Sequence, residues 1–300
     1  MKAVRFSVFG GPEVLEIVDV PDPRPGPGQV RIAVRAAGVN ASDWKKRAGL
    51  MDPELPQTLG HEAAGVVDEL GAGVTGVAVG DRVFGFTAEP AAQAELAVLA
   101  HYAPVPPALD FATAASLPAA VETATRALDR LGVGEGDTLL VNGASGSVGG
   151  AAVQLAVARG ARVIGTGSAP NHEHLRSLGA EPVAYGEGLT ARVRALAPDG
   201  VDAALDVAGS GVLPELIALA GGTERVVTIA DFAGAEAHGV TFSRGDDGRV
   251  LHALDEIGGL VESGRFTPPD VRTFPLTEVA EAQRLGENGP VRGKIVLVAG

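Results

Sequence analysis

The stretch Thr138-Leu139-Leu140-Val141-Asn142-Gly143-Ala144-Ser145-Gly146-Ser147-Val148-Gly149 decides the fold of this chain. An apolar run of strand length enters a turn of small residues, and a helical pattern then continues to about Arg159. A strand feeding a glycine turn into a helix builds a site for pyrophosphate. Side chains larger than Gly or Ala would hold the phosphates away, whereas here the amides at the helix start can donate to them, aided by the helix dipole. The spacing reads A-x-G-x-x-G through Ala144, Gly146 and Gly149, with Ala144 in the first glycine position. A bound dinucleotide is the first expectation, contacted by Ser145, Gly146, Ser147 and Val148.

Outward from the turn, apolar strands alternate with helical segments. Strands are predicted at 138–142, 162–165, 203–207 and 225–229, and helices at 111–130, 148–159, 172–178, 189–196 and 212–219. Such alternation means βαβ units and a parallel sheet. Residues 1 to about 105 read differently, as short strands at 3–9, 15–20, 29–37, 65–70, 82–86 and 95–100, broken by a Pro/Gly-rich connector at 21–27 and a turn-dense segment at 71–80. Few helices are visible there, and a compact antiparallel barrel is expected. From about Thr267 the chain returns to short β-like pieces that end in Gly293-Lys294-Ile295-Val296-Leu297-Val298, read as completing the first domain.

Composition limits the function. The 300 residues allow two ordinary domains. With 46% apolar and 20% charged residues the composition is globular, and no apolar run reaches the ~18 residues of a membrane span. No signal-peptide core follows the first residues, so a cytoplasmic protein is expected. A net charge of −13 without a basic stripe argues against nucleic acid as partner. Cysteine is absent, which removes disulfides, thiolate nucleophiles, Cys-ligated zinc and iron–sulfur clusters.

Together these residues resemble the medium-chain dehydrogenase/reductase superfamily, and within it the zinc-independent quinone oxidoreductase group. The most specific part runs from Gly136 to Gly149, followed by Gln154, with Ser147 in place of a usual glycine. Further matches follow in order at Gly38-Val39-Asn40-Ala41-Ser42-Asp43, Gly60-His61-Glu62-Ala63-Ala64-Gly65, Val79-Gly80-Asp81-Arg82-Val83, Leu117-Pro118, Thr123-Ala124, Leu178-Gly179-Ala180 and Gly293-Lys294-Ile295-Val296-Leu297. The resemblance covers essentially the whole chain. It implies an α/β fold in which a Rossmann-type domain (118–266) is inserted into a mostly β, GroES-like catalytic domain (1–117 and 267–300), with NADPH in the cleft between them. It also implies a homodimer formed through the sheet edge near 240–242.

Zinc-dependent members of the superfamily place a Cys where this chain has Asn40 and use a His like His61. Only His61 survives here, and a tight zinc site needs three or four protein ligands, so no metal is expected. The segment 88–93 replaces the four-Cys lobe. His61 reads as a hydrogen-bonded histidine of the substrate pocket. NAD-preferring folds carry a carboxylate about 20 residues past the glycine turn to hold the ribose 2′-hydroxyl. This chain has Thr166-Gly167-Ser168, with Ser168 able to donate to a phosphate, then Ala169 and Pro170 where relatives often carry a Lys or Arg, and Asn171, His172 or Arg176 as substitutes, so NADPH is expected.

By the same resemblance Asn40 and Thr123 stand at the nicotinamide end as catalytic and cofactor contacts, and Asp43 holds the turn after Asn40. Trp44 and Met51 line the substrate pocket, Met51 falling where many relatives carry a Tyr. Val207, Ala208, Ile229 and Ala230 end parallel strands where nucleotides lie, and Lys294 is a further cofactor contact. Without zinc to acidify an alcohol, hydride transfer to a small-molecule quinone or activated alkene is the expected reaction. A metal-free alcohol or ketone reductase and a non-catalytic NADPH-binding protein are the alternatives.

Overall fold

The computed structural model describes residues 1–245, 248–289 and 292–299. The chain divides into two compact units, one formed by Met1–Ala119, Leu254–Glu262 and Pro268–Gly300, the other by Ala120–Ala253 and Ser263–Thr267.

In the first unit, β1 (Lys2–Phe6) pairs antiparallel with β2 (Glu16–Asp19). β3 (Val30–Val39) is followed at once by the short helix α1 (Ala41–Arg47), then by β4 (Gln57–Thr58), β5 (Glu62–Leu70), β6 (Arg82–Thr87) and β7 (Leu96–Pro104). β3 pairs with β5, β5 with β6, β6 with β7, and β7 back with β3, all antiparallel, so the four strands close on themselves. Closure removes the exposed edges and encloses Val30, Ile32, Val67, Val83 and Leu99 as a core. Gly65 belongs to that closure: a Cβ there would lie 2.2 Å from the carbonyl oxygen of Ala33. The helix expected over 111–130 is two helices, α2 (Phe111–Ala115) and α3 (Pro118–Leu131). Pro118 explains the break, because proline lacks the N–H that a continuing helix needs and restrains the residue before it.

The second unit is a parallel sheet. β8 (Thr138–Asn142) leads through the glycine turn to α4 (Ser147–Ala158), and β9 (Arg162–Thr166) to α5 (His172–Ser177). Then come β10 (Ala180–Val183), α6 (Leu189–Leu196), β11 (Ala203–Asp206), α7 (Leu213–Ala220), β12 (Val226–Thr228), α8 (Phe232–His238) and β13 (Thr241–Phe242). The sheet order is β10-β9-β8-β11-β12-β13. β8 has β9 on one side and β11 on the other, so the winding reverses beside it. That reversal opens a crevice at the carboxyl end of β8, where the glycine turn begins. Leu139, Leu140 and Val141 are all buried, as expected of a strand covered on both faces.

The chain then forms α9 (His252–Glu262), β14 (Val271–Pro275), α10 (Val279–Glu287) and β15 (Lys294–Val298). β15 lies between β14 and β3, which returns the end of the chain to the first unit. Helices α1 and α10 are additions to the expected β-like reading of these segments. Val279 and Ala282 of α10 are buried in a cluster with Val4, Phe6, Leu59 and Ile295, against which Trp44 of α1 also packs. The three-residue spacing of Val279 and Ala282 is the helical signal in that segment. Among the described residues no helix is long and apolar enough to cross a membrane.

Candidate functional site

Two polar centres stand out, one in each unit. In the parallel-sheet unit the glycine turn holds three glycines for three reasons. Gly143 has φ +88°, and a Cβ there would meet Val207 Cγ2 at 2.9 Å. Gly149 lies so close to the preceding backbone that a Cβ would sit 2.2 Å from the carbonyl oxygen of Gly143. Gly146 is different. Its φ of −80° suits any residue, and the nearest atom to a Cβ would be the oxygen of Gly143 at 3.9 Å. Neither backbone strain nor packing asks for glycine at this position. It is also the N-cap of α4, where no side chain takes up the first amides. A missing side chain beside uncapped helix amides is a cradle for an anion to approach the backbone. Ser145, Ser147 and Val148 flank it, all half-buried.

Beneath the turn, a buried network joins four strand ends. Asn142 Nδ2 donates to Asp206 Oδ1 at 2.9 Å, Thr166 Oγ1 donates to Asn142 Oδ1 at 2.8 Å, and Thr228 Oγ1 donates to Asp206 Oδ2 at 2.8 Å. Asp206 Oδ1 also accepts from the amides of Ala208 and Gly209, and Thr228 Oγ1 accepts from those of Ala230 and Asp231. Thr166 Oγ1 accepts from Gly143 N at 2.9 Å. The backbone at Ala208 and Ala230 is therefore held by side chains of the strands beneath, and Val207 and Ile229 flank it at the same strand ends. At the end of β9, Ser168 Oγ accepts from Asn171 Nδ2 at 3.2 Å, and His172 Nε2 lies 3.3 Å from the oxygen of Gly167. The first carboxylate after this strand is Glu173, exposed in the first turn of α5.

Thr123 sits on α3 beside a buried ion pair. Arg126 Nε donates to Glu122 Oε1 at 2.8 Å, while Arg126 Nη2 reaches Thr123 Oγ1 at 3.4 Å. Arg126 also bonds Ser243, and Glu122 accepts from Val250 N. This ties the Thr123 turn of the helix to the segment after β13.

The barrel unit holds the second centre. Lys294 Nζ donates to Asn40 Oδ1 at 2.5 Å and pairs with Glu62 Oε1 at 2.7 Å. Asn40 Nδ2 donates to the same Glu62 oxygen at 2.8 Å, and Glu62 Oε2 accepts from Ala119 N at 2.7 Å. The Glu62 side chain is 0% exposed and that of Lys294 4%. Glu62 was not singled out in the sequence beyond its place next to His61. A carboxylate followed directly by the buried run Ala63-Ala64-Gly65 is the signal that marks it, since buried charges must be paired. Lys294 likewise begins a strand whose next three residues are buried.

Asp43, on α1, supports this centre from behind. Its carboxylate accepts from Asn40 N at 2.8 Å, Gly60 N at 3.3 Å and Gln93 Nε2 at 3.1 Å. Full burial nonetheless pushes its carboxyl up to about 6 from 3.8, the hydrogen bonds from Asn40 and Gly60 and the nearby Lys294 pulling the other way. The folded state thus holds this proton more tightly than the unfolded chain. Its contribution is largest below the unfolded value and is lost as pH rises towards 6, by about 3 kcal/mol. Denaturant melts of the wild type and Asp43→Asn across pH 4 to 7 should show the difference between them changing by about that amount. A pH-independent difference would remove Asp43 as the titrating group.

The residues expected to line the substrate pocket are Trp44, Met51 and His61. Met51 is 56% exposed, beside Leu50 at 74%, in the loop after α1. A Cβ added at Gly286 would lie 2.8 Å from the Trp44 ring, so this ring packs on α10. His61 is half-buried, and its carbonyl accepts from Thr87 N at 2.9 Å. Among the described residues, no group of three or more His, Cys, Asp or Glu is placed to hold a metal ion.

Known proteins of this fold give the family. The family model for the alcohol dehydrogenase GroES-like domain matches residues 26–105, and that for the zinc-binding dehydrogenase matches residues 178–297. A quinone oxidoreductase of Pseudomonas aeruginosa is 35% identical, the match covering 94% of this chain and 94% of that protein. The chain belongs to the quinone oxidoreductase family of medium-chain dehydrogenases/reductases. It is an oxidoreductase by that membership. The NADPH-dependent alkenal/one oxidoreductase of Arabidopsis thaliana chloroplasts is 32% identical over 99% of this chain and 79% of its own length. The solved quinone oxidoreductase of Coxiella burnetii superposes with a TM-score of 0.83 at 32% identity, over 99% of both chains. Some relatives are far longer. The chain spans 14% of a spectinabilin polyketide synthase system protein of Streptomyces orinoci, to which it is 35% identical over 98% of its own length.

Proposed function

We propose that this protein is a cytoplasmic, metal-free reductase that uses NADPH to reduce quinones or activated alkenes such as enones and enals. The observation that carries the reading is Gly146, a glycine that neither φ nor packing requires, at the uncapped start of α4. Ser145, Gly146, Ser147 and Val148 would hold the pyrophosphate through backbone amides. Ser168, Asn171 and His172, with no carboxylate among them, would take the 2′-phosphate, which an acid at that place would repel. Val207, Ala208, Ile229 and Ala230 would line the dinucleotide along the strand ends.

When bound, NADPH supplies a hydride. What the chain must do for an enone or quinone is hold the carbonyl oxygen while negative charge builds on it, and let water deliver the balancing proton. Asn40 has the chemistry for that, because its amide donates hydrogen bonds and carries no charge that competes with the oxyanion. The NADPH-dependent alkenal/one oxidoreductase and the quinone oxidoreductases among the relatives support both acceptor classes.

The test is loss of NADPH absorbance with a benzoquinone and with an unsaturated aldehyde, before and after treatment with a chelator. Turnover with at least one acceptor is expected, unchanged by the chelator, with kcat/KM for NADPH at least about tenfold above that for NADH, the worth of one charge-assisted phosphate contact. Absence of turnover across both acceptor panels would sink the proposal. We also assign the exposed edge of β13 as a dimer contact, checked by light-scattering mass.

A further inference from the structure

Asn40 is the group that would face the acceptor oxygen, and an amide can present either an acceptor or a donor. Which one it presents depends on what lies behind it. Here Lys294 Nζ lies 2.5 Å from one end of the amide and Glu62 Oε1 lies 2.8 Å from the other, while the two charged groups touch each other at 2.7 Å. The three side chains close a triangle. Only one orientation of the amide satisfies it: Oδ1 accepts from the ammonium and Nδ2 donates to the carboxylate. The flipped amide would set N–H against ammonium and C=O against carboxylate, two repulsive contacts in a buried site.

The geometry points to Lys294 and Glu62 as a positioning pair that locks the Asn40 amide with Oδ1 on the ammonium and one Nδ2–H on the carboxylate, so that the second Nδ2–H is its unspent donor. This rests on the proposed function for its consequence, though not for its geometry. A carbonyl or quinone oxygen matches a donor. An alcohol about to lose its proton needs an acceptor, and the amide oxygen that could supply one is already engaged by the ammonium, which weakens it in that role. The same ammonium draws electron density from Oδ1 and strengthens the outward N–H as a donor. Lys294 then acts through Asn40, and not as the cofactor contact expected from the sequence. The remaining geometry agrees: Glu62 spends its other oxygen on Ala119 N, and Asp43 pins the Asn40 backbone, so neither can turn away to release the amide.

The test uses the full-length protein with Lys294→Met and the double variant Glu62→Leu/Lys294→Met, which leaves neither an unpaired charge nor an acceptor for the Asn40 amide if the single variant does not fold. With selectively 15N-labelled asparagine, wild-type Asn40 should give two resolved side-chain amide protons, the one bonded to Glu62 exchanging slowly with water. In the double variant that protection should be lost. With an enone as acceptor, kcat should fall about 30-fold, while the dissociation constant of NADPH, read by fluorescence, should change by less than about threefold. An unchanged Asn40 amide signature in the double variant would overturn the lock. So would a rise in the NADPH dissociation constant that matches the fall in kcat/KM, since Lys294 would then be a cofactor ligand. If the wild type reduces no acceptor, the proposed function fails while the amide signature still decides the lock.

Discussion

Gly146→Val is expected to fold like the wild type and to lose NADPH affinity by a hundredfold or more, whereas Gly149→Val three residues later is expected not to fold. The glycines look alike in sequence and differ in what surrounds them. A Cβ on Gly146 meets nothing of the protein closer than 3.9 Å, and φ −80° accepts a β-branched residue. The added side chain would stand over the uncapped amides and keep a phosphate from them. Loss of two such charge-assisted contacts, at about 1.5 kcal/mol or more each, gives the stated factor. At Gly149 the added carbon would lie 2.2 Å from a carbonyl oxygen and 2.7 Å from the Ala144 Cα, both backbone atoms that cannot step aside. Circular dichroism melts and NADPH fluorescence titration separate the two outcomes. A Gly146→Val protein that binds NADPH normally would show that no ligand approaches this amide.

The second large effect concerns stability. Glu62→Ala should lower unfolding free energy by about 3–5 kcal/mol, the cost of leaving one partner of a buried ion pair uncompensated. Lys294 cannot escape, because it lies in β15 between β14 and β3 with Ile295, Val296 and Leu297 buried beyond it. The variant also frees the amide of Ala119 and one bond of Asn40. A thermal melt should register a drop of about 10 °C, and an unchanged melting temperature would mean that Lys294 is neutral or hydrated in the fold. Removing both charges with Glu62→Gln/Lys294→Met should recover much of the loss, as buried pairs replaced together often do.

Much of the architecture was legible because periodicity reports burial. Leu139, Leu140 and Val141 read as a strand covered on both sides, and Leu189 and Val193 mark a helix by their spacing of four. The break at Pro118 was visible in principle, since proline says where a helix starts, yet the apolar residues on either side of it invited one continuous reading. α1 was missed because its seven residues, ending in Lys45-Lys46-Arg47, are too few to display a repeat. The cofactor turn could be read from local sequence, whereas the Asn40 centre could not. Its members stand at positions 40, 62 and 294, and no local pattern links an amide, a glutamate and a lysine that meet only when β15 closes on β3. What the sequence does offer is a charge at the head of each of two apolar runs, Glu62 before Ala63-Ala64-Gly65 and Lys294 before Ile295-Val296-Leu297.

The return of the chain to the barrel also sets an order of assembly. Asn40 and Lys294 are separated by 254 residues, and the whole parallel-sheet unit is translated between them. During synthesis Ala120–Ala253, most of that unit, emerges before β15, with Leu254–Glu262 of the first unit set between it and Ser263–Thr267. The barrel meanwhile carries Glu62 in a strand that has no cation to bury it with. A buried carboxylate without its cation is costly, so the native burial of Glu62 is completed only with Lys294 of β15 in place. β15 thus supplies the charge that completes the Glu62 site, from a strand more than two hundred residues away in sequence.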